Sequence, residues 1–188
     1  MMSDKKFQVH FEPTPNPQSM KFVLNQKVCT ENLHFEDPLK AQRSPLASKI
    51  FGFPWTSSVF LGPDFVTITK QDWVDWDVLA EPLCELIKEH MERGEPFLLE
   101  EPENTFISSE DDSDPIVQQI KEILDTEIRP AVAMDGGDIV FHKFEAGVVY
   151  VYMQGACSGC PSSTMTLKAG IEQRLKELIP EVVEVVAL

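Results

Sequence analysis

The chain is poor in basic residues. It has 16 Lys and Arg against 31 Asp and Glu in 188 residues, which gives a formal net charge of −15 at pH 7. A protein that binds nucleic acid needs a basic surface to meet the phosphates, and anionic membranes attract proteins in the same way. The charge balance therefore excludes nucleic acid and anionic membranes as partners.

Long apolar runs and cysteines are also scarce. No stretch approaches the ~20 apolar residues of a membrane-spanning helix. Four cysteines in a chain of this length do not form a disulfide framework, which favours a reducing compartment. The first residues show neither an apolar signal core nor an Arg-rich transit segment. The sequence thus predicts a bacterial cytoplasmic protein, with a processed protein of the mitochondrial matrix as the alternative.

What the chain does contain is enough apolar sequence, 43% of residues, for two packed cores. Residues 1–93 show strand and helix periodicities in alternation, and residues 114–188 show the order α-β-β-α-β. Between them, residues 94–113 are acidic, include two prolines and lack Lys and Arg, as an extended linker would. The predicted fold class is α+β, with an N-terminal mixed sheet and helix domain and a C-terminal domain joined by an acidic linker.

Two cysteines lie between a predicted strand and a predicted helix in the second domain. Cys157 and Cys160 are separated by two residues, and Gly159 between them allows both sulfurs to point the same way. A helix N-terminus favours negative charge, so we expect the pKa of these thiols to lie well below ~8.5. Such thiolates suit either a soft metal or a redox dithiol, and the spacing leaves both open.

The number of ligands narrows the choice of metal site. Structural zinc and a 4Fe–4S cluster each need about four ligands, whereas this motif supplies two. The other cysteines, Cys29 and Cys84, are single and distant in sequence. A second copy of the chain, related by two-fold symmetry, is the simplest way to complete the set. A site shared in this way is open at an interface and can release its contents, as a carrier must.

Two parts of the sequence resemble a known family. Residues 134–138 (Met-Asp-Gly-Gly-Asp) and 155–163 (Gly-Ala-Cys-Ser-Gly-Cys-Pro-Ser-Ser) resemble the NifU C-terminal-like domain of the Nfu family. Residues 12–17, with 20–22, resemble the N-terminal domain of that family, so the resemblance covers nearly the whole chain. It implies an iron–sulfur cluster scaffold or carrier that holds a 4Fe–4S cluster between two protomers, with Cys157 and Cys160 as cofactor-binding and metal-binding residues.

The resemblance also implies partners and a mechanism. The protein would form a homodimer on cluster binding, receive clusters from upstream assembly proteins and transfer them to apo-proteins by ligand exchange. It would not be an enzyme, and no catalytic relay, phosphate loop or paired carboxylate site is visible in the sequence. Two alternatives stay open, namely a thiol–disulfide oxidoreductase and a dimer or adaptor linked by zinc.

Several further residues allow a structural as well as a functional interpretation. The three tryptophans Trp55, Trp73 and Trp76 could form a docking face or pack in the first core. Asp138 is better explained by a tight turn than by a cation site. Met165, early in the last helix, could shield a cluster or fill the core of a dimer, and we favour the dimer core.

Overall fold

The computed structural model describes residues 7–99, 114–157 and 161–188, with the backbone alone for 161–164. The chain divides into two compact units, Met1–Pro102 and Glu103–Leu188. Each unit combines helices with a small sheet, which confirms the α+β class. In the described parts of the chain, no helix is both long and apolar enough to cross a membrane.

The first unit is built on a five-stranded antiparallel sheet with the strand order β1-β2-β5-β4-β3. Its elements in chain order are β1 (Val9–Pro13), β2 (Ser19–Leu24), β3 (Leu33–Phe35), a 3₁₀ turn (Lys40–Arg43), α1 (Pro45–Phe51), β4 (Thr56–Leu61), β5 (Phe65–Lys70) and α2 (Trp76–Glu92). Alternate strand residues such as Phe22 and Ile68 join helix residues such as Ile50 and Ile87 in one core. Ser44 accepts a hydrogen bond from the Ala47 amide at 3.1 Å and caps α1, as its sequence suggests.

The first unit extends beyond its predicted end at residue 93. Phe97 is buried in the first core, and the Leu99 amide donates to the carbonyl oxygen of Arg43 at 2.7 Å. Lys49 Nζ donates to Glu95 Oε2 at 2.6 Å. The start of the predicted linker is therefore packed on the unit that precedes it. Residues 100–113 of that linker lie outside the described residues.

Protonation of His90 is expected to weaken this packing. Its Nε2 donates to the Pro96 carbonyl oxygen at 3.0 Å, so Nδ1 accepts from Lys49 Nζ at 3.1 Å. Burial, with the charge of Lys49, holds the pKa of His90 below 6.5 despite the opposing effects of Pro96 and Glu95. Below about pH 6.5 the unfolded chain then binds more protons than the folded one. The contribution of His90 to the free energy of unfolding is fully present above that pH and is lost as the pH falls through the pKa of His90 in the folded state.

A comparison with His90→Gln tests this pH dependence. The variant keeps a donor for Pro96 but cannot titrate, so its free energy of unfolding should decline less steeply from about pH 7 to about pH 5 than that of the parent chain. All three tryptophans lie in the first unit, so denaturation followed by tryptophan fluorescence reports this unit alone. Equal slopes for the two proteins would mean that His90 is not the group responsible.

The second unit places three helices against a three-stranded sheet with the order β6-β7-β8. Its elements are α3 (Pro115–Ile123), a π-helical turn (Leu124–Ile128), α4 (Arg129–Met134), β6 (Gly137–Glu145), β7 (Val148–Gly155), α5 (Pro161–Leu178) and β8 (Glu184–Ala187). Strands β6 and β7 form an antiparallel hairpin, and β8 runs parallel to β7. Ile139, Val151, Ile171 and Leu175 are among the buried core residues.

The first helix of this unit continues beyond Pro130, although the sequence suggests that it ends there. A proline inside a helix clashes with the preceding turn and cannot donate a hydrogen bond. Here the π-helical turn just before it widens the helix, and the Arg129 amide donates to the carbonyl oxygen of Leu124, five residues back. The wider turn accommodates Pro130, so the helical course reaches Met134.

Candidate metal centre

The predicted metal centre lies at the open end of the β6–β7 hairpin, opposite the turn that joins the two strands. Gly137, the first residue of β6, pairs with Gly155, the last of β7. The Ala156 amide donates to the carbonyl oxygen of Gly136 at 3.2 Å and closes this end of the hairpin. Gly136 and Gly155 have φ values of 80° and 64°, which glycine adopts at little cost. Cys157 lies two residues after this end of the hairpin.

Cys157 points into the core of the second unit. Only 6% of it is exposed, and it packs with the apolar residues of that core. A Cβ atom on Gly137 would lie 2.5 Å from Cys157 Sγ, so a glycine is needed where strand β6 passes the sulfur. The second predicted ligand, Cys160, lies outside the described residues.

The expected low pKa is wrong for Cys157 in the metal-free chain. Burial, with additional repulsion from Asp135 and Asp138, raises the pKa of its thiol to about 12. Loss of water around the sulfur penalises the thiolate, and the two carboxylates penalise it further. The sequence places Cys157 near the start of a helix, but only the packing shows that the side chain turns inward and that two negative charges face it.

A partly buried ion pair holds the start of β6 against the helix before it. Arg129 Nε lies 2.8 Å from Asp138 Oδ1, and a second guanidinium nitrogen lies 2.9 Å from Oδ2. Asp138 is only 2% exposed, and the pair raises the pKa of Arg129. The predicted tight turn lies at residues 135–136, and Asp138 is a residue of β6 that forms a bidentate salt bridge. No periodicity in the sequence signals this pair, because its members lie nine residues apart on different elements.

Two methionines next to this region are exposed in the single chain. Met134 ends α4, and Met165 lies in the second turn of α5; they are 77% and 71% exposed. One large exposed apolar side chain thus lies on the helix before β6, and another lies on the helix that follows the cysteine motif. The preference for Met165 in a dimer core is neither supported nor opposed by the fold of one chain and stays a prediction.

The other cysteines belong to the first unit. Cys29 is buried and Cys84 is half-buried, and burial, together with a nearby glutamate in each case, raises the pKa of both thiols to about 11. Both therefore act as small apolar residues that pack in the first unit. Within residues 7–99, 114–157 and 165–188, no three His, Cys, Asp or Glu side chains are grouped as a metal site would require.

Comparison with known proteins matches both units. The family described as "Scaffold protein Nfu/NifU N terminal" matches residues 9–94, and the "NifU-like domain" family matches residues 120–186. The human protein named "NFU1 iron-sulfur cluster scaffold homolog, mitochondrial" is 43% identical over 176 residues, which cover 93% of this chain and 69% of the human one. The protein of that name from Drosophila sechellia is 42% identical, with 93% and 62% covered.

A solved structure is also similar in part. The solution NMR structure of a NifU-like protein from Saccharomyces cerevisiae is 26% identical, with a TM-score of 0.47 over 54% of this chain and 92% of the yeast one. The sequence matches define the class as iron–sulfur cluster scaffold proteins. The chain belongs to the Nfu family of that class, with the domain pair of the family in its order, and it spans 62–69% of the length of the human and Drosophila sechellia relatives.

Proposed function

We propose that this protein carries a 4Fe–4S cluster between two copies of itself, through Cys157 and Cys160 of each, and transfers it to apo-proteins. The observation that carries the proposal is the position of Cys157. It lies two residues after a hairpin end that contains two glycines of positive φ, inside the domain that matches the NifU-like family. The cluster is cargo here, received from upstream assembly proteins and passed on.

The dimer follows from the number of donors. A cube of four irons is commonly held by four thiolates, and each chain has two cysteines at the motif. Two-fold symmetry brings the same surface of both copies together. The exposed Met134 and Met165 then supply apolar area that the second copy would cover.

The burial of Cys157 bears on how tightly the cluster is held. To bind iron, the sulfur must leave the core and lose its proton, and both changes oppose binding. When a client thiolate replaces Cys157 on the iron, the cysteine takes up a proton and returns to the core, which favours release. Iron–sulfur bonds are exchanged, and no covalent bond within the client changes, so we assign the protein as a carrier and not as an enzyme.

A thiol–disulfide oxidoreductase is the alternative function. The matches to iron–sulfur cluster scaffold proteins favour the carrier over it. The relatives named above are described as mitochondrial. We therefore propose the mitochondrial alternative for this chain in preference to the bacterial cytoplasm that its composition first suggested.

Reconstitution without oxygen tests the proposal. We expect one cluster of four irons and four sulfides per two chains, with a mass in solution that doubles on loading. Cys157→Ser and Cys160→Ser should each reduce iron and sulfide to background, because a shared site then loses two of its four ligands. Cys84→Ser, a half-buried cysteine of the other unit, is the matched control and should load fully. A loaded monomer, or a loaded Cys157→Ser variant, would overturn the proposal.

A further inference from the structure

One of the three tryptophans of the first unit is exposed. Trp55 is 8% exposed and stacks on Phe53, and Trp76 donates through Nε1 to the Pro17 carbonyl oxygen at 3.2 Å. Trp73, in the loop before α2, is 64% exposed, and Val78 in the first turn of α2 is 67% exposed. Two large apolar side chains, five residues apart, therefore lie open to solvent with no role in the core.

Carboxylates surround these two residues in the sequence and at the start of α2. Five exposed acidic residues precede α2 or lie within its first ten residues, and none of them forms a salt bridge among the residues that the structure describes; they are Asp72, Asp75, Asp77, Glu81 and Glu85. Towards the end of the helix, by contrast, Lys88 pairs with Glu92, and Arg93 at the C-cap pairs with Glu89. The carboxylates at the C-terminal end are thus paired with cations, whereas these five form no such pair in the described part of the chain.

The helix dipole explains only part of this distribution. It favours acidic side chains in the first turn, which accounts for Asp77. Glu81 and Glu85 lie beyond that turn, where the effect has faded. With Val78 they follow a spacing of three and four residues, so they share one face of α2. We call Trp73, Val78 and the five carboxylates the Trp73 patch.

We infer that the Trp73 patch docks a basic, amphipathic segment of another protein. An apolar side chain of that segment would cover Trp73, the residue type most enriched where binding energy concentrates, and its Lys or Arg side chains would meet the carboxylates. Nucleic acid and anionic lipid carry the wrong charge for this surface. The inference concerns the first unit alone and does not rest on cluster binding.

A synthetic peptide can test this chemistry on the full chain. The probe is an amphipathic helix of about 15 residues made of Leu and Lys, and a matched peptide has Glu in place of Lys. We expect the Lys peptide to shift the backbone NMR resonances of residues 72–85 and to move the fluorescence of Trp73 to shorter wavelength. The Glu peptide should not bind.

Variants can distinguish binding at the Trp73 patch from nonspecific attraction of the peptide to an acidic protein. Trp73→Ser should weaken binding at least about fivefold, and Glu81→Lys with Glu85→Lys about tenfold. The matched controls are Leu39→Ser, which removes another exposed apolar residue, and Glu31→Lys with Glu181→Lys, which changes the net charge equally. Both should alter affinity less than about twofold.

Three results would overturn the inference. They are resonance shifts spread over the whole chain, equal weakening by the control charge reversals, and equal binding of the Glu peptide. Trp73→Ser should still take up a full cluster, because the substitution lies in the other unit. Failure of cluster loading in the parent chain would refute the proposed carrier function and leave the peptide result unaffected.

Discussion

Replacing Arg129 with Met should destabilise the second unit by about 3 kcal/mol. The substitution leaves Asp138 charged and 2% exposed without its bidentate partner, and a buried charge that loses its partner typically costs 3–5 kcal/mol. We expect the lower end of that range because the side chain of Arg129 is 37% exposed, so water already screens part of the interaction. The second unit has no tryptophan, so hydrogen exchange or NMR during denaturation should follow its unfolding.

Two companion variants show whether burial is the cause. Asp138→Asn removes the buried charge itself, leaves Arg129 near Asp125 at 3.1 Å, and should cost only about 1 kcal/mol. Arg174→Met breaks the pair with Glu127, whose side chains are 44% and 41% exposed, and should cost no more than about 1 kcal/mol. If Arg129→Met were as mild as Arg174→Met, the pair would not anchor β6.

Gly137→Ala should destabilise the second unit by about 2 kcal/mol and displace Cys157. The added Cβ would lie 2.5 Å from Cys157 Sγ and 2.9 Å from the backbone oxygen of Gln154, so it overpacks a position where the neighbouring strand cannot yield. The sulfur has the more movable position, so Cys157 should become more exposed. Thiol labelling of the metal-free protein, read by mass spectrometry of its peptides, should show faster modification of Cys157.

Gly170→Ala is the matched control for this prediction. Gly170 lies within α5, and a Cβ there would meet no heavy atom within 4 Å. Alanine is favoured over glycine in a helix by about 0.5–1 kcal/mol, so this variant should be slightly more stable and leave the labelling of Cys157 unchanged. A neutral effect of Gly137→Ala would mean that the strand can move away from the sulfur.

The strands and helices were largely predictable because each has a local signal. Alternating apolar residues mark β2 and β5, and Ser44 before Pro45 marks the start of α1. The helix that precedes β6 differs from its prediction at Pro130. A π-helical turn depends on how the helix packs along its length, and the spacing of apolar residues in the sequence does not indicate it.

The sequence predicted the class of the site but not the protonation state of its cysteine. The spacing of Cys157 and Cys160, with the resemblance of the surrounding residues, indicates a site for a thiolate-bound cluster, and the match to an iron–sulfur scaffold family supports that function. The protonation state of Cys157 was predicted wrongly. It depends on the burial of the sulfur and on the charges of Asp135 and Asp138, which are distant in sequence from the helix that was expected to control it.

By itself, the sequence determined the α+β class, the order of elements in both units, the acidic surface and the cysteine pair, because periodicity, charge and motif spacing are local properties. The tertiary structure decided what depends on residues far apart in the chain. In the folded units, Cys157 is buried and Arg129 pairs with Asp138. Trp73 is exposed, whereas Trp55 is buried. Burial and charge pairing are set by which elements meet, and that is fixed only once the whole unit has folded.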